Sequence, residues 1–195
     1  LKMKKLLLFI TVLTFTISSI NAQDSKFYLG IGAGYASAGG DWVDGFELKK
    51  GGLNLNFINM GYRFNESWGA TANLSSSGHE AEGWDGAAGI GVFSVGPMYS
   101  IPVGNMSWDI KPQYAFRMAY AESGDDALDD YLATGSGFVL GNSLVMGSGQ
   151  GFTWSIDIDY VSGKFTKEEE DGESYDIDGD NSFTNIKIGV GVRYN

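Results

Sequence analysis

The chain runs to 195 residues with 29 Gly, 12 Phe, 10 Tyr and 5 Trp, no cysteine and a formal charge of −11. Without cysteine there are no disulfides, thiolate metal ligands or lipid-modified N-terminal cysteine. The acidity excludes a nucleic-acid partner, because nothing here neutralises a run of phosphates; it suits a surface that meets solvent or cations.

Residues 1–22 read as a secretory signal peptide, an address rather than part of the fold. Lys4 and Lys5 give a basic start, Leu6 to Ile20 an apolar core broken by Thr and Ser, and Ile20-Asn21-Ala22 before Gln23 a cleavage site. Met3, behind Leu1-Lys2, is the expected initiator. The apolar run is shorter than the roughly 20 residues a spanning helix needs. Cleavage would remove Lys2, Lys4 and Lys5 and leave one domain, 23–195, with charge 10 − 24 = −14. No second long apolar run follows, so a membrane-spanning fold has to be a closed β-barrel.

Eight segments alternate with period two, the signature of strands with one apolar and one polar face. In the first, Phe27, Leu29, Ile31, Ala33 and Tyr35 oppose Tyr28, Gly30, Gly32 and Gly34; a loop is expected from Ser37 to about Gly52. The second sets Ile58, Met60, Tyr62 and Phe64 on one phase but Leu53, Leu55 and Phe57 on the other, a slip that predicts a β-bulge or a strand top clear of the bilayer. After the turn Asn65-Glu66-Ser67, the third carries Trp68, Ala70, Ala72 and Leu74, and Gly78 to Gly86 is the second polar loop. The fourth carries Phe93, Val95, Pro97, Tyr99 and Ile101 and turns tightly through Pro102-Val103-Gly104-Asn105.

The fifth segment, Met106 to Tyr120, decides what the apolar faces meet. Met106, Trp108, Ile110, Pro112, Tyr114, Phe116, Met118 and Tyr120 share one phase; Asp109, Lys111, Gln113 and Arg117 share the other. A spanning strand needs about 9–11 residues, so this run crosses a bilayer and emerges. With the polar face outward, each basic residue near the midplane would cost roughly 2–4 kcal/mol. Over several strands that cancels a typical net stability of about 5–15 kcal/mol. The aromatic face therefore points to lipid and the charges point in. Pro97 and Pro112 lack a ladder donor, so an irregularity is expected at each.

Ala121 to Ala133 reads as a third, acidic loop. The sixth segment, about Gly135 to Gly147, carries Phe138, Leu140, Leu144 and Met146, with Asn142 in the same phase. After Ser148-Gly149-Gln150, the seventh sets Phe152, Trp154, Ile156, Ile158 and Tyr160 against Thr153, Ser155, Asp157, Asp159 and Val161. A fourth loop, strongly acidic, is expected from about Phe165 to Ser182. The eighth segment sets Ile186, Ile188, Val190, Val192 and Tyr194 against Asn185, Lys187, Gly189, Gly191 and Arg193.

Connections alternate long and short, as in an up-and-down barrel with turns on one side and loops on the other. Aromatics near both ends of the apolar faces, such as Trp108 with Tyr120 and Phe152 with Tyr160, resemble two interfacial girdles. With the signal peptide and the Gly-rich last strand, this pattern over Gln23 to Asn195 resembles the small outer-membrane β-barrel family of the OmpA-barrel and OmpX kind. The resemblance implies an all-β, eight-stranded antiparallel up-and-down transmembrane barrel in the outer membrane of a diderm bacterium. It implies outer-membrane lipid, lipopolysaccharide and the barrel-assembly machinery as partners, and a monomer. Family members commonly end in an aromatic residue; here Tyr194 is penultimate. No peptidoglycan-binding module is expected after the last strand.

Eight strands enclose a space that side chains can fill. The inward set reads Arg63, Asp109, Lys111, Arg117, Asp157, Asp159, Lys187 and Arg193, and buried charges persist only when paired. Lys187, level with Asp157 and Asp159, is the expected salt-bridge partner. Glycines of the first and last strands are expected to face the long Lys111, Gln113 and Arg117 across the lumen.

Three features invite a sharper reading and none carries it. His79, the single histidine, shares a side with Ser77, and a His with a Ser can work on lipid acyl groups; this phase points inward, away from the bilayer, so a polar residue at a loop base is the better reading. Asp176, Asp178 and Asp180 are spaced like the start of a calcium loop, but Gly falls at the fourth position and Lys187 stands where Glu is needed. Gly30-Ile31-Gly32-Ala33-Gly34 lacks the spacing and the following helix of a nucleotide loop. No catalytic, cofactor or metal residue is assigned. The expected role is structural or surface interaction through acidic loops around a filled lumen, not enzymatic; a narrow channel or small-solute binder is the alternative, and a lipid-modifying enzyme the third.

Overall fold

The computed structural model describes residues 26–82, 85–124, 131–147, 151–170 and 173–195; the signal-peptide region lies outside them. Nine strands and one short helix follow in order: β1 (Phe27–Gly39), α1 (Asp41–Gly45), β2 (Leu48–Arg63), β3 (Trp68–Ala81), β4 (Gly86–Val103), β5 (Met106–Gly124), β6 (Leu132–Met146), β7 (Phe152–Glu170), β8 (Glu173–Asp176) and β9 (Ser182–Tyr194). Each of β1 to β7 pairs antiparallel with the next, β7 pairs with β9, and β9 closes on β1. These eight form the barrel, and β8 is an extra strand folded onto the far end of β7.

The closure is tilted. A row of paired residues leaves β5 at Trp108, passes Leu144, Ile156, Val190, Ala33, Leu55, Ser76 and Gly91, and returns to β5 at Ala119. That climb is the stagger that a closed sheet requires.

Period-two faces behave as their charges dictate. Ile31, Tyr35, Trp68, Phe138, Phe152, Trp154, Ile188 and Val190 are exposed on the outside, while Asp109, Lys111, Lys187 and Arg193 are buried inside. The expected bulge in β2 falls at Phe57, where register slips between Asn56 and Ile58, so Leu53, Leu55 and Phe57 point out along with Tyr62.

A second bulge overturns part of the fifth-strand reading. Phe93 pairs with Arg117 but Ser94 with Ala115, leaving Phe116 as the extra residue. Beyond it the faces exchange: Arg117 is exposed on the outside, and Met118 and Tyr120 are fully buried inside. One inserted residue flips every later side chain, so Arg117 leaves the inward set and Tyr120 leaves the outer girdle.

The expected loops are shorter than their sequences imply, because ladder pairing continues past the apolar band. β1 runs to Gly39 and β7 to Glu170, and in the acidic segment Lys167–Glu170 pairs with Glu173–Asp176 of β8. The first loop holds α1, bracketed by positive φ at Gly40 (103°) and Glu47 (49°). Two turns of the chain in the left-handed region bend α1 back over the barrel mouth.

Candidate functional site

The lumen is the only place where charge and chemistry-bearing side chains of several strands converge among the described residues, and it is built in three layers. At the end near the β4–β5 turn lies an ion network. Arg193 Nη1 donates to Asp109 Oδ2 at 2.8 Å and Nη2 to Asp157 Oδ1 at 3.3 Å, while its guanidinium sits 4.7 Å above the Tyr28 ring. Arg63 Nη2 reaches Asp109 at 3.4 Å, Ser100 donates to Asp109 at 2.7 Å, and Ser155 donates to Asp157 at 2.7 Å. Lys111 Nζ donates to Ser143 at 2.7 Å and lies 3.9 Å from Asp157; Ser143 in turn donates to Asp157. Because the Arg fork spans two carboxylates, β5, β7 and β9 are tied across the lumen.

The predicted Lys187 pair does not form. Register places Lys187 opposite Asp159, as its sequence depth implied, yet its Nζ donates to Ser75 Oγ at 2.9 Å and no carboxylate lies within ion-pair distance among the described residues. The lysine reaches across to β3 while Arg193 and Lys111 occupy Asp157. The glycine expectation is corrected similarly. Lys111 turns to its neighbour β6, where a Cβ on Gly141 would stand 3.1 Å from Lys111 Cε. The β1 and β9 glycines instead let two backbones approach each other: a Cβ on Gly34 would collide with the Ile188 carbonyl.

The middle layer is neutral and polar. Asn185 Nδ2 donates to Ser77 Oγ at 2.9 Å, Ser77 Oγ lies 3.1 Å from His79 Nε2, and His79 Nδ1 lies 3.2 Å from the Lys49 carbonyl. A carbonyl can only accept, so Nδ1 carries the proton and Nε2 accepts from Ser77. His79 lies five positions beyond Leu74, where the lipid-facing stripe of β3 ends, and beside the exposed Lys49–Glu80 ion pair. Burial pushes its imidazole below the ordinary range. The pair has nucleophile-and-base orientation but Ser77 and His79 are 0% and 1% exposed, sealed from lipid and water alike.

The third layer, toward the mouth, is apolar and was not legible in the sequence. Trp42 of α1 packs on Phe165 (centroids 4.5 Å) and Phe46 (4.7 Å), Phe46 on Tyr120 (4.9 Å), and Phe165 on Phe183 (5.8 Å). Ile90, Met118 and Val161 complete the plug beneath them. α1 is tethered by Ser182, whose hydroxyl donates to Asp41 Oδ2 at 2.7 Å. Two signals pointed here: the apolar pair Trp42-Val43 inside a polar loop, and Phe165 and Phe183 in the inward phase of their strands.

Asp176 ends β8, and Asp180 pairs with Lys164 at 3.0 Å; among the described residues no cluster of carboxylates and imidazoles could hold a metal ion. Gly30 to Gly34 lies within β1.

The chain matches the family described as outer membrane protein beta-barrel domain over residues 7–195. No curated protein sequence matches it. Among solved structures, Neisserial surface protein A (NspA) is 13% identical with a TM-score of 0.58, the match covering 87% of this chain and 97% of that one. Ail, the attachment invasion locus protein of Yersinia pestis, in complex with the heparin analogue sucrose octasulfate, is 17% identical with a TM-score of 0.52, covering 86% and 97%. OprG of Pseudomonas aeruginosa is 11% identical with a TM-score of 0.46, covering 86% and 96%. At such identities the likeness is one of fold. The lipid-facing stripes, the closed eight-strand ring and a family match over nearly the whole length agree: the protein belongs to the outer membrane protein beta-barrel domain family and is an outer-membrane barrel of the Gram-negative type.

Proposed function

We propose that this barrel is a closed, non-enzymatic anchor whose work is done by the strands and hairpins it holds above the membrane, as an envelope-supporting or surface-interaction protein. The observation that carries the reading is the seal across the lumen: Arg193, 1% exposed, ties Asp109 to Asp157 beneath the plug of Trp42, Phe165 and Phe183. A solute path would have to break a buried ion network and then part an aromatic cluster. The Ser77–His79 pair lacks any approach for a substrate, which speaks against lipid modification.

The extracellular end is acidic, with Asp41, Asp44, Glu47, Glu80, Glu82 and Glu169 among its exposed residues. A sulfated polyanion of the kind bound in the Ail structure would be repelled here; a cationic or metal-bridged surface is the better complement. Lipopolysaccharide as the surrounding lipid, the barrel-assembly machinery as folding partner and a monomeric state belong to the same reading.

Recording from planar bilayers tests it. The refolded barrel should give no steady conductance, and a regular open level would favour the narrow channel instead. Assaying lipid A composition in cells carrying His79→Ala covers the enzymatic reading; an altered acyl pattern would replace the anchor with a catalyst.

A further inference from the structure

The outer wall is not smooth over β5, β6 and β7. A depression of about 420 Å³ opens over Pro97 and Pro112, walled by Tyr114, Phe138, Leu140 and Tyr160. A second, of about 500 Å³, continues from it through Tyr114, Phe138 and Ser162 up to Ser136 and Lys164. The cause is local. Two prolines remove ladder donors, so β4–β5 pairing stops at Val95–Tyr114 and resumes at Tyr99–Ile110. Above, small outward residues leave a trough between aromatic rings.

The trough has a polar rim. Arg117, turned outward by the β5 bulge, flanks Ser136, since pairing runs Ala115–Gly137 and then Met118–Gly135. Lys164 pairs with Ser136 from the other side. Two cations thus bracket a hydroxyl just beyond Phe116, which ends the lipid-facing stripe. Arg117 is exposed and makes no ion pair among the described residues; Lys164 shares Asp180 at 3.0 Å, with both side chains exposed.

We propose that this trough seats one anionic, phosphate-bearing lipid of the surrounding membrane, its chain against Tyr114, Phe138 and Leu140 and its phosphate between Arg117 and Lys164. A phosphate between two cations above an apolar trough uses charge-assisted hydrogen bonds where the bilayer itself presents headgroups. The seat does not depend on whether the lumen conducts, so its failure leaves the anchor reading untouched.

Native mass spectrometry of the folded barrel, titrated with phosphatidylglycerol or phosphatidylcholine, tests it. We expect one phosphatidylglycerol retained in preference to phosphatidylcholine, with affinity falling roughly fivefold in Arg117→Ala or Lys164→Ala. Lys49→Ala, on the opposite wall, should leave it unchanged. Ser136→Trp keeps both cations but fills the trough, and should abolish retention while the protein still migrates as a folded barrel. Equal retention of the two lipids, equal loss in Lys49→Ala, or full binding in Ser136→Trp would each overturn the proposal. So would displacement of the lipid by inorganic phosphate at equal concentration, which would make the rim an ion site only.

Discussion

Arg193 of β9 and Asp109 of β5 meet at 2.8 Å across the lumen, 1% and 0% exposed, and the three other hydrogen bonds to Asp109 come from Arg63, Ser100 and Ser107. Removing the carboxylate leaves the sealed Arg193 half paired, on Asp157 at 3.3 Å, and takes the acceptor from Arg63, whose side chain is 30% exposed. Breaking a buried pair costs about 3–5 kcal/mol, and we expect Asp109→Ala to lose that much in urea unfolding from lipid vesicles. The double variant Asp109→Leu/Arg193→Met should lose less than Asp109→Ala, because no uncompensated Arg193 charge remains. A double variant less stable than that single would contradict this account of the network.

Gly34 is required by the approach of β1 to β9, not by its own backbone conformation. A Cβ there would run into the Ile188 carbonyl and the Gly189 Cα, both backbone and unable to step aside. Gly34→Val is expected to stop the barrel closing, seen as loss of the heat-sensitive gel shift of folded barrels. Gly104→Ala, in the tight β4–β5 turn with open space around it but φ of 64°, should cost only about 1 kcal/mol.

Trp42 is the centre of the plug, 4% exposed, touching Phe46, Tyr120 and Phe165. Truncating a buried Trp to Ala costs about 3–5 kcal/mol. We expect Trp42→Ala to lower unfolding stability by that order. The planar-bilayer current should stay closed, because the Arg193 network below is intact. Steady conductance in this variant would show that the plug alone holds the seal.

His79 is held neutral by burial, its folded value below the ordinary 6.5. A depressed value means the stabilising contribution is present above the unfolded pKa and is lost as pH falls through the folded one. Between pH 7 and pH 5 the wild-type unfolding midpoint should drop more than that of His79→Gln, which cannot titrate. Parallel curves for the two proteins would count against a buried neutral imidazole.

The β5 bulge makes a sharp local statement. A cysteine label at Arg117 should react from outside the barrel, whereas one at Met118 should be protected in the plug. Uninterrupted alternation would give the reverse, with 118 facing lipid and 117 enclosed.

Period-two patterning and the cost of charge in lipid were enough to assign the eight strands, their outward faces and the enclosure of Asp109, Asp157 and Arg193, because both act residue by residue along the chain. The β2 bulge was visible for the same reason: Leu53, Leu55 and Phe57 break phase with Ile58. The β5 bulge was not, because Phe116-Arg117-Met118 keeps alternation intact while the backbone slips by one against β4.

Which partner each interior charge chooses also escaped the sequence. Depth along the strand placed Lys187 beside Asp159 correctly, but side-chain reach across a closed lumen sent its amine to Ser75 and gave Asp157 to Arg193 and Lys111. Likewise only the folded chain brings Trp42 of a polar loop onto Phe165, more than 100 positions away, which in turn packs on Phe183. Strand pattern is a property of neighbours in the chain, whereas the seal of the lumen is a property of neighbours in space, set by tilt, closure and a single inserted residue.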